Sequence, residues 1–449
     1  MTDLNVAVLG LGITGLATVN YLQQSGYQVC VFDTRDTPPG EDKLASGIDL
    51  IKGAFCAEQL AKFPLIVASP GIALATPALQ FAIAAGCQVI GDIELFAKKL
   101  KTPAYQHAKC VTITGSNGKS TVTSLLGEMA KQAGIKVAVG GNIGIPALDL
   151  LSPDIDLYIL ELSSFQLETT LSLDADIATI LNISEDHLDR YNSYQHYIDS
   201  KQRIYAQSKV ALFNSEDKRT FPENKKQLKK SFGFTNAHYH IVSDSNNERY
   251  LAKGEERLFA VKALKLSGRH NWLNALAAIA LGEAVALAMP AMLMTLSYYS
   301  GLEHRCEFVA QANGVRWIND SKATNIGATQ AALQGLSESI SGDVHLILGG
   351  EGKGADFNEL VPFLNAVNGQ ICIFGADAQK IYAATVKSTE KSKIVADLPA
   401  AIAHLLQHIG NGDLVILSPA CASLDMYPNF MARGDHFKSL VNALIVSTL

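Results

Sequence analysis

The sequence has few charged residues and no surplus of positive ones. Charged side chains make up 18% of the 449 residues, apolar side chains make up 48%, and the formal net charge is −6. This composition provides for several buried cores, and the length favours about three domains. A chain without a global basic field is not drawn to polyanions, so we expect neither nucleic acid nor a membrane as a partner.

Paired cysteines and a targeting segment are also missing. The seven cysteines occur singly, and no CxxC pair is present. An odd, unclustered set is typical of reduced buried thiols, and it argues against a disulfide framework or a zinc site. The amino terminus lacks a basic region ahead of its first apolar run, which predicts no signal peptide. These absences together indicate a cytoplasmic protein.

A long uninterrupted apolar run is absent as well. The most apolar stretch, residues 272–296, carries Asn274, Glu283 and Pro290. Polar and helix-breaking residues at these positions favour a pair of buried helices over a membrane span. Residues 214–258, by contrast, are polar and rich in lysine and glutamate. Such a segment is typical of a solvated hairpin or helix excursion, with substrate steering as the alternative.

Short apolar β-rich runs alternate with longer helical patterns along most of the chain. This alternation predicts parallel sheets covered by helices, which is an α/β fold. Gly10, Gly115 and Gly349 follow such runs, as if a new α/β unit began at each. We therefore predict three domains, each with a mostly parallel sheet: a Rossmann-like domain at 1–96, a central phosphate-loop domain at 97–301 and a Rossmann-like domain at 302–449.

The first strand pattern ends in a glycine-rich turn. Residues 6–15 read VAVLGLGITG, with Gly10, Gly12 and Gly15 in GxGxxG spacing. Glycines at such a turn let the backbone approach a phosphate, and the helix that follows supplies free N–H groups. Asp33 comes eighteen residues after Gly15, near the place of a ribose-binding carboxylate. The pattern predicts a nucleotide or phosphate site and leaves a nicotinamide-dependent dehydrogenase open.

A second phosphate loop opens the central domain. Residues 111–123 read VTITGSNGKSTVT, and Ile113 stands where the first glycine of GxxxxGK[ST] belongs, so the loop is shorter than usual. Lys119 can neutralise nucleotide phosphates, and the Ser120 hydroxyl can bind Mg²⁺. The loop therefore predicts a site for the β and γ phosphates of a nucleotide with Mg²⁺, and the resemblance given below makes that nucleotide ATP. Kinases, ATPases, ligases and non-enzymatic switches all share such a loop.

Possible metal ligands follow on later strands. Glu161 ends the strand pattern at 156–161, and the segment LNISEDHLDRY at 181–191 contains His187. A carboxylate at the end of a strand beside a phosphate loop is placed for a second Mg²⁺ contact, although it can equally meet solvent. His187 alone is typical of a polar surface residue, but its position in a polar cluster behind the phosphate loop favours a ligand.

Further motifs continue the series in order to the end of the chain. In order, the motifs are GLGITG, SPGI, TGSNGKST, GGNIG, ELSSFQLE, LNISEDHLDRY, SGRHNWLNALAA, HR, NDSKATN, LGGEGKGADF and SPACASLDMYPNF. In this order they resemble the ATP-dependent Mur ligase family, most closely its D-glutamate-adding branch. The NDSKATN and SPACAS segments look specific to that branch, whereas the phosphate loop is shared with other Mur ligases.

The resemblance implies a ligase of peptidoglycan precursor synthesis, and hence a part in cell-wall biogenesis, cell shape and cell division. ATP phosphorylates the alanyl carboxylate of UDP-N-acetylmuramoyl-L-alanine, and the amine of D-glutamate attacks the acyl phosphate, so that ADP and phosphate are released. Charge builds up on the phosphoryl oxygens, so a lysine and two Mg²⁺ ions are expected to stabilise it. We expect a monomer whose partners are these two substrates.

The resemblance also implies the site residues. The catalytic positions are Lys119, His187 and Lys201. The Mg²⁺ ligands are Ser120, Glu161, His187 and a carbamylated Lys201, because a carbamate offers carboxylate-like oxygens where an ammonium repels the ion. The ATP-binding positions are Gly115, Ser116, Asn117, Gly118, Lys119, Ser120, Thr121, Asn271, Arg305 and Asp320. The UDP-sugar positions are Ile13, Thr14, Asp33, Thr34, Arg35, Gly71, Asn142 and His187. The D-glutamate positions are Thr324, Lys322, Lys353, Ser423 and Phe430.

These sites fall on three different domains, so catalysis requires the domains to meet. We expect the C-terminal domain to close when ATP binds, with a hinge near residues 300–304. The ligase interpretation uses both glycine loops, whereas the dehydrogenase leaves Lys119 without a role and the switch leaves the first domain without one.

Overall fold

A computed structural model describes residues 5–187, 190–224, 227–266, 268–312, 314–336, 342–386 and 390–446. The motif residues Leu188, Asp189 and Ser267 lie outside the described residues. The described residues form three sheets that are mostly parallel and flanked by helices, which confirms the predicted α/β fold. Short 3-10 helices lie at Glu41–Lys43, Ala147–Leu150, Lys218–Thr220, Val261–Ala263 and Phe357–Ala366.

The N-terminal sheet is parallel throughout. Its strands are β1 (Asn5–Leu9), β2 (Gln28–Asp33), β3 (Asp49–Lys52), β4 (Leu65–Ala68) and β5 (Gln88–Ile90), and its helices are α1 (Ile13–Gln24), α2 (Ala57–Leu60), α3 (Pro77–Ala84) and α4 (Asp92–Leu100). The strand order is β3-β2-β1-β4-β5. The strand order reverses between β1 and β4, and open α/β sheets bind ligands at such a point.

The glycines of the first turn serve two different purposes. A Cβ atom on Gly15 would lie 1.8 Å from the carbonyl oxygen of Gly10, whose φ is +86°. These two glycines therefore let α1 pack directly on the end of β1. A Cβ on Gly12 would meet nothing within 4 Å, so the second glycine leaves open space on the ligand side of the turn.

The central sheet is the largest in the described residues. Its strands are β6 (Lys109–Thr114), β7 (Val137–Gly141), β8 (Leu157–Glu161), β9 (Ala175–Ile180), β10 (Ser208–Asn214), β11 (Leu228–Phe232), β12 (Tyr239–Ser243), β13 (Arg249–Lys253) and β14 (Glu256–Ala260). Its helices are α5 (Lys119–Gln132), α6 (Ser164–Glu168), α7 (Tyr194–Ala206), α8 (Arg269–Ala284) and α9 (Met289–Tyr298). The order is β14-β13-β12-β11-β10-β9-β6-β8-β7, and the strands from β12 to β14 are antiparallel.

Two expectations for this domain are confirmed. The apolar stretch 272–296 forms the helices α8 and α9, and residues 274–282 of α8 are all buried. In the part of the chain that the structure describes, no helix has the length and apolarity needed to cross a membrane. The polar segment 214–258 contributes antiparallel hairpin strands to the edge of the sheet, which is one of the two forms expected for it.

Helix α4 joins the first two domains into one packed body. A single hydrophobic core contains Val6 of the first sheet, Phe96 of α4 and Tyr158 of the central sheet. The Phe96 and Tyr158 rings lie 5.2 Å apart, edge to face. Glu94 accepts hydrogen bonds from the backbone N–H groups of residues 171 and 172, at 2.7 and 2.8 Å. The boundary expected at residue 96 falls inside this helix, and the domain limits stay a prediction.

The C-terminal sheet brings three motif loops to one edge. Its strands are β15 (Glu307–Ala312), β16 (Val315–Asn319), β17 (Val344–Gly349), β18 (Ile371–Phe374), β19 (Ser392–Ile394) and β20 (Leu414–Leu417). Its helices are α10 (Ile326–Leu336), α11 (Ala378–Thr385), α12 (Leu398–Leu405) and α13 (Phe430–Val446). The order is β15-β16-β20-β17-β18-β19, with β15 antiparallel to β16 and the other pairs parallel. The motif loops after β16, β20 and β17 are therefore neighbours.

Buried Arg433 on α13 holds those loops together. Its guanidinium donates to the carbonyl oxygens of Ser321, Gly349 and Cys421 at 2.8 to 3.2 Å. Its Nε also donates to the Ser321 hydroxyl at 2.9 Å. Five donors in a planar fork allow one side chain to satisfy carbonyls from three loops at once.

The turn after β1 yields a stability prediction. We expect Gly15→Ala to lower the free energy of unfolding by about 3 kcal/mol, because the new methyl group overlaps a backbone carbonyl that cannot move away. Chemical denaturation monitored by circular dichroism measures the change. Gly12→Ala is the matched control, since open space faces that position, and it should unfold close to the native midpoint. Equal midpoints for the two variants would contradict the close packing described here.

Candidate active site

The phosphate loop after β6 is held in shape by the segment that follows β9. The backbone N–H of Asn117 donates to Asn182 Oδ1 at 2.9 Å, and Asn182 Nδ2 donates to the Asn117 carbonyl at 3.0 Å. Gly118 has φ +82°, and a Cβ there would lie 2.6 Å from Asn274 Oδ1. Ser116 Oγ lies 3.0 Å from Tyr197 Oη. The loop is thus preorganised around backbone that only glycine can supply.

Two lysines face this loop from different helices. Lys119 Nζ donates to the carbonyl oxygens of Gly115 and Ser116, at 2.8 and 3.1 Å. Lys201, on α7, is 2% exposed and donates to the Gly115 carbonyl at 3.1 Å. Burial, and then the neighbouring Lys119, hold the pKa of Lys201 well below its usual value. Burial also lowers the pKa of Lys119. Both amines lack a nearby anion strong enough to offset desolvation.

Glu161, at the end of β8, fits a metal ligand. The side chain is 3% exposed, and its Oε1 accepts a hydrogen bond from Asn142 Nδ2 at 2.8 Å. Among the described residues, nothing donates a hydrogen bond to its buried Oε2. A buried carboxylate oxygen without a donor suits a cation, and it contributes to the electrostatic environment of Lys119.

The donor set resembles a site for Mg²⁺ bound together with phosphate. The described ranges contain no group of three or more histidine, cysteine, aspartate or glutamate residues able to hold a metal ion. One carboxylate and the Ser120 hydroxyl fit the way Mg²⁺ binds in nucleotide sites, where phosphate oxygens and water complete the coordination.

His187 is held in place by two side chains, Phe165 and Asp186. Its backbone has φ +56°, its ring lies edge-on to Phe165 at 4.9 Å, and its Nε2 is 3.7 Å from Asp186 Oδ2. Burial lowers the pKa of His187, which favours the neutral imidazole. A neutral ring keeps a lone pair that can bind a metal ion.

Arg190 makes contacts between domains that were not predicted from the sequence. Its guanidinium lies over the Phe165 ring at 4.5 Å and donates to the carbonyl oxygens of Pro70, Gly71 and Ile72 at 3.1 to 3.5 Å. It therefore links the first domain's SPGI loop to the aromatic ring that supports His187. Its place at the end of the LNISEDHLDRY motif was the available signal, but only tertiary packing reveals the partner.

Most of the predicted UDP-sugar residues share one cleft between the first two domains. The cleft has a volume of about 490 Å³, which lies within the usual range for small-molecule sites. Of the predicted residues, those that line it are Ile13, Thr14, Asp33, Thr34, Arg35, Gly71 and Asn142. His187 does not line this cleft. It lines a separate cavity, described below, to which the C-terminal domain also contributes residues. Asn142 lines the cleft and also donates to Glu161, so it connects the cleft to the predicted metal ligand at the end of β8.

Asp33 is bound to the turn it follows and to Arg35. This carboxylate is 2% exposed and accepts hydrogen bonds from the Leu11 N–H at 2.7 Å and from the Arg35 side chain at 2.6 and 2.8 Å. The Arg35 hydrogen bond holds the pKa of Asp33 down at about 2. An acid engaged in this way fixes the turn and orients Arg35, which also lines the cleft.

A second cavity lies between the phosphate loop and the C-terminal domain. It is lined by the predicted ATP residues Asn117, Gly118, Thr121, Asn271, Arg305 and Asp320. Arg305 Nη2 donates to Ser120 Oγ at 2.7 Å, so the C-terminal domain contacts the phosphate loop directly. Burial raises the pKa of Asp320 to about 6, although Ser418 Oγ donates to it at 2.7 Å. His270 and Asn274 also line the cavity and were missed, although both flank Asn271 in the motif.

The predicted D-glutamate residues do not all line the same cavity. Thr324 and Lys353 line a third cavity with His187, whereas Lys322 lines the second cavity, which is the predicted ATP cavity. The Lys322 ammonium lies 3.9 Å from the centre of the Phe430 ring, and burial lowers the pKa of Lys322 to about 8. Ser423 is buried in the loop after β20 and lines neither cavity. The expected residues thus surround the contact between the central and C-terminal domains without forming one pocket.

The segment predicted to act as a hinge, and the residues just after it, contain unusual backbone. Gly301 has φ +100°, and the non-glycine residues His304 and Cys306 have φ +63° and +46°. Residues 300–304 lie between α9 and β15, so the chain passes from one domain to the next through them. In the structure the C-terminal domain rests against the phosphate loop, and domain closure on ATP binding stays a prediction.

Comparison with known proteins assigns this arrangement to a family. Residues 4–91 match the Mur ligase MurD-like N-terminal domain, residues 113–282 the Mur ligase middle domain, and residues 304–421 the glutamate ligase domain of Mur ligases. The chain therefore belongs to the Mur ligase family, and it is a ligase. Membership of this ATP-dependent family implies ATP and Mg²⁺.

The relatives that match over nearly the whole chain carry a more specific name than the family. Proteins named UDP-N-acetylmuramoylalanine–D-glutamate ligase are 50% identical in Aliivibrio fischeri (strain MJ11; 97% of this chain and 96% of the relative) and 48% identical in Escherichia coli (strain K12; 98% of each). Among solved structures, the fold is similar to the UDP-N-acetylmuramate-alanine ligase of Thermotoga maritima (TM-score 0.62, 19% identity, 98% of this chain and 99% of the other). It is also similar to MurF of Acinetobacter baumannii (TM-score 0.63, 17% identity, 97% and 93%).

The environment of Glu161 generates a prediction about Mg²⁺. We expect Glu161→Gln to raise the Mg²⁺ concentration for half-maximal ATP turnover by about 10- to 100-fold, because the uncharged amide is a poor ligand for a hard cation. Steady-state turnover titrated with MgCl₂ measures this shift. Glu128→Gln is the control, since Glu128 is on α5 and pairs with Lys131 at the surface. An unchanged Mg²⁺ requirement in Glu161→Gln would remove this residue from the metal site.

Proposed function

We propose that this chain joins D-glutamate to UDP-N-acetylmuramoyl-L-alanine at the expense of ATP, in peptidoglycan precursor synthesis. The observation that carries the proposal is the bridge from Asn142 to Glu161, at 2.8 Å. It places the cleft of the first two domains next to the phosphate loop, while Arg305 of the third domain reaches Ser120 from the other side. A reaction between a sugar nucleotide, ATP and an amine needs these three sites to meet.

The first domain is proposed to hold the uridine diphosphate. Helix α1 begins after Gly12, and no side chain caps it, so its first N–H groups can bind phosphate oxygens. Ile13 is 76% exposed at the start of that helix, and Arg35 is oriented by Asp33 at the rim of the cleft. The same turn that suggests a dinucleotide site thus suits a sugar nucleotide.

The phosphate loop is proposed to activate the donor carboxylate. Lys119, Ser120 and Arg305 surround the place where the transferred phosphate gathers negative charge, and Lys119 and Arg305 offer donors that favour the charged transition state. We propose two Mg²⁺ ions, one at Ser120 and Glu161 and the other at His187 and a carbamylated Lys201. Bound there, Mg²⁺ neutralises phosphate charge during transfer.

The C-terminal domain is proposed to bind the acceptor. D-glutamate carries two carboxylates, and Lys353, Lys322 and the hydroxyls of Thr324 and Ser423 are suitable partners. Phe430 supports Lys322 through its ring. Closing the C-terminal domain on the phosphate loop would bring these groups to the activated donor and exclude water from the acyl phosphate.

We propose further that the chain works as a cytoplasmic monomer, with domains at 1–96, 97–301 and 302–449. The support for these domain limits is that each of the three sheets lies within one of the ranges.

The proposed reaction is tested by phosphate release from ATP and Mg²⁺ with UDP-N-acetylmuramoyl-L-alanine and one amino acid at a time. We expect release with D-glutamate and none with L-glutamate or diaminopimelate. Release with another amino acid would keep the ligase and change its acceptor. Absence of release with every acceptor would favour a phosphate-loop switch, and enhanced fluorescence of a bound nicotinamide cofactor would favour a dehydrogenase.

The buried Lys201 gives a separate test of the carbamate. An amine with a lowered pKa is neutral over a wider pH range, and its nitrogen can add to CO₂ to form N–C while one proton leaves to solvent. We expect a ¹³C carbamate resonance in protein equilibrated with ¹³C-bicarbonate, and its loss on acidification as the amine is protonated. Lys201→Arg should lack the signal and lose about 100-fold in turnover.

The control for that experiment is Lys131→Arg, which alters an exposed lysine paired with Glu128 at 2.7 Å. It should keep both the resonance and the turnover. A native protein without the resonance, or a Lys201→Arg variant that retains it, would contradict carbamylation at this position while leaving the ligase reaction itself intact.

A further inference from the structure

The start of α10 meets the phosphate loop through one side chain, Asn325. Its Oδ1 accepts the N–H of Ala328 at 2.9 Å and so caps the helix. Its Nδ2 donates across the domain boundary to Asn117 Oδ1 at 3.4 Å and to Asp186 Oδ2 at 3.2 Å. A primary amide has two hydrogens, which is the number these two acceptors require. Both contacts exist only while the domains are in this relative position.

Asp186 passes this contact on to the acceptor cavity. Its Oδ1 accepts the backbone N–H of His187 at 2.9 Å and lies 3.5 Å from Lys353 Nζ. Burial opposes ionisation of Asp186, but Lys353, His187 and Lys119 outweigh it, and its pKa lies below the usual value. The carboxylate thus faces Asn325 with one oxygen and Lys353 with the other.

The residues connected by these contacts line two different cavities. Asn117 lines the ATP cavity, whereas Asp186, Asn325 and Lys353 line the third cavity, which carries the proposed acceptor residues. The walls of that third cavity come from both the central and the C-terminal domain, so its shape depends on how the domains are docked. A side chain that contacts both the phosphate loop and this wall can make the affinity of one cavity depend on binding in the other.

We propose that Asn325 is a positioning residue that couples nucleotide binding at the phosphate loop to the affinity of the acceptor cavity. The inference rests on the proposed function, since it takes D-glutamate as the acceptor. Nucleotide phosphates fix the loop that carries Asn117, the amide of Asn325 then holds α10 and Asp186 in register, and Lys353 is presented to the acceptor carboxylate. By reciprocity, acceptor binding strengthens nucleotide binding by the same factor.

The helix cap and the cross-domain contacts can be separated chemically. Aspartate caps a helix as well as asparagine does and has nearly the same size. Asn325→Asp therefore keeps the bond from Ala328 but removes both donors and faces Asp186 with a second carboxylate. Asn429 provides the matched control, because its Oδ1 caps α13 through the N–H of Ala432 at 2.8 Å, and Asn429→Asp makes the same change there.

The test is isothermal titration of D-glutamate into protein saturated with UDP-N-acetylmuramoyl-L-alanine, with and without Mg²⁺ and adenylyl imidodiphosphate. We expect the nucleotide to tighten D-glutamate binding by about tenfold in the native protein and in Asn429→Asp, the size of one hydrogen bond to a charged group. In Asn325→Asp the ratio of the two dissociation constants should fall to about 1, while the melting temperature and the affinity for the nucleotide alone stay native.

The outcomes distinguish this inference from the proposed function. A native protein that neither binds D-glutamate nor turns it over would reject the function. A native protein that turns D-glutamate over but shows no coupling, or an Asn325→Asp variant with native coupling, would overturn the role of Asn325. A variant that melts early and loses both affinities equally would also overturn it, because that pattern reduces Asn325 to a structural cap.

Discussion

The clustering of basic side chains around the phosphate loop is the constraint on which the rest of the structure depends. Lys119, Lys201 and Arg305 converge there. Glu161 and Asp186 favour the charged form of the two lysines, and Glu161 and Asp320 favour that of Arg305. Desolvation outweighs these acids, so the pKa values of the two lysines and of Arg305 lie below their usual values. A nucleotide polyphosphate carries the negative charge that would favour the protonated forms of these side chains.

The three basic side chains at the phosphate loop come from separate elements of the fold. Lys119 begins α5, Lys201 is on α7, and Arg305 lies between α9 and β15. Each is held by oxygen atoms of the loop or its first helix, at 2.7 to 3.1 Å. Electrostatic preorganisation of this kind lets a small movement of the third domain change the field at the phosphates.

The sequence allowed prediction of those features that depend on local geometry. The glycine turns, the strands that end at Leu9, Thr114 and Leu417, and the helices α8 and α9 follow from patterns of a few residues. Arg190 and Asn325 could not be found this way, because their partners lie in other domains. Lys322 is the same case: a motif gives its position in the chain, but only packing shows that it faces the ATP cavity. Asp33 fits a ribose ligand in spacing, but its pairing with Arg35 could not be read from the sequence.

The junction between the first two domains limits how such chains can be recombined. The first junction is a helix buried in a shared core, in which Phe96 packs on Tyr158 and Glu94 binds backbone at 171 and 172. A chimera cut at residue 96 would separate groups that recognise each other across the cut. The irregular stretch at 101–108 is the better crossover point, and a foreign first domain would have to bring α4 with it and find a matching surface at residues 158–172. The module that can be exchanged as a unit is therefore longer than the sheet that defines it.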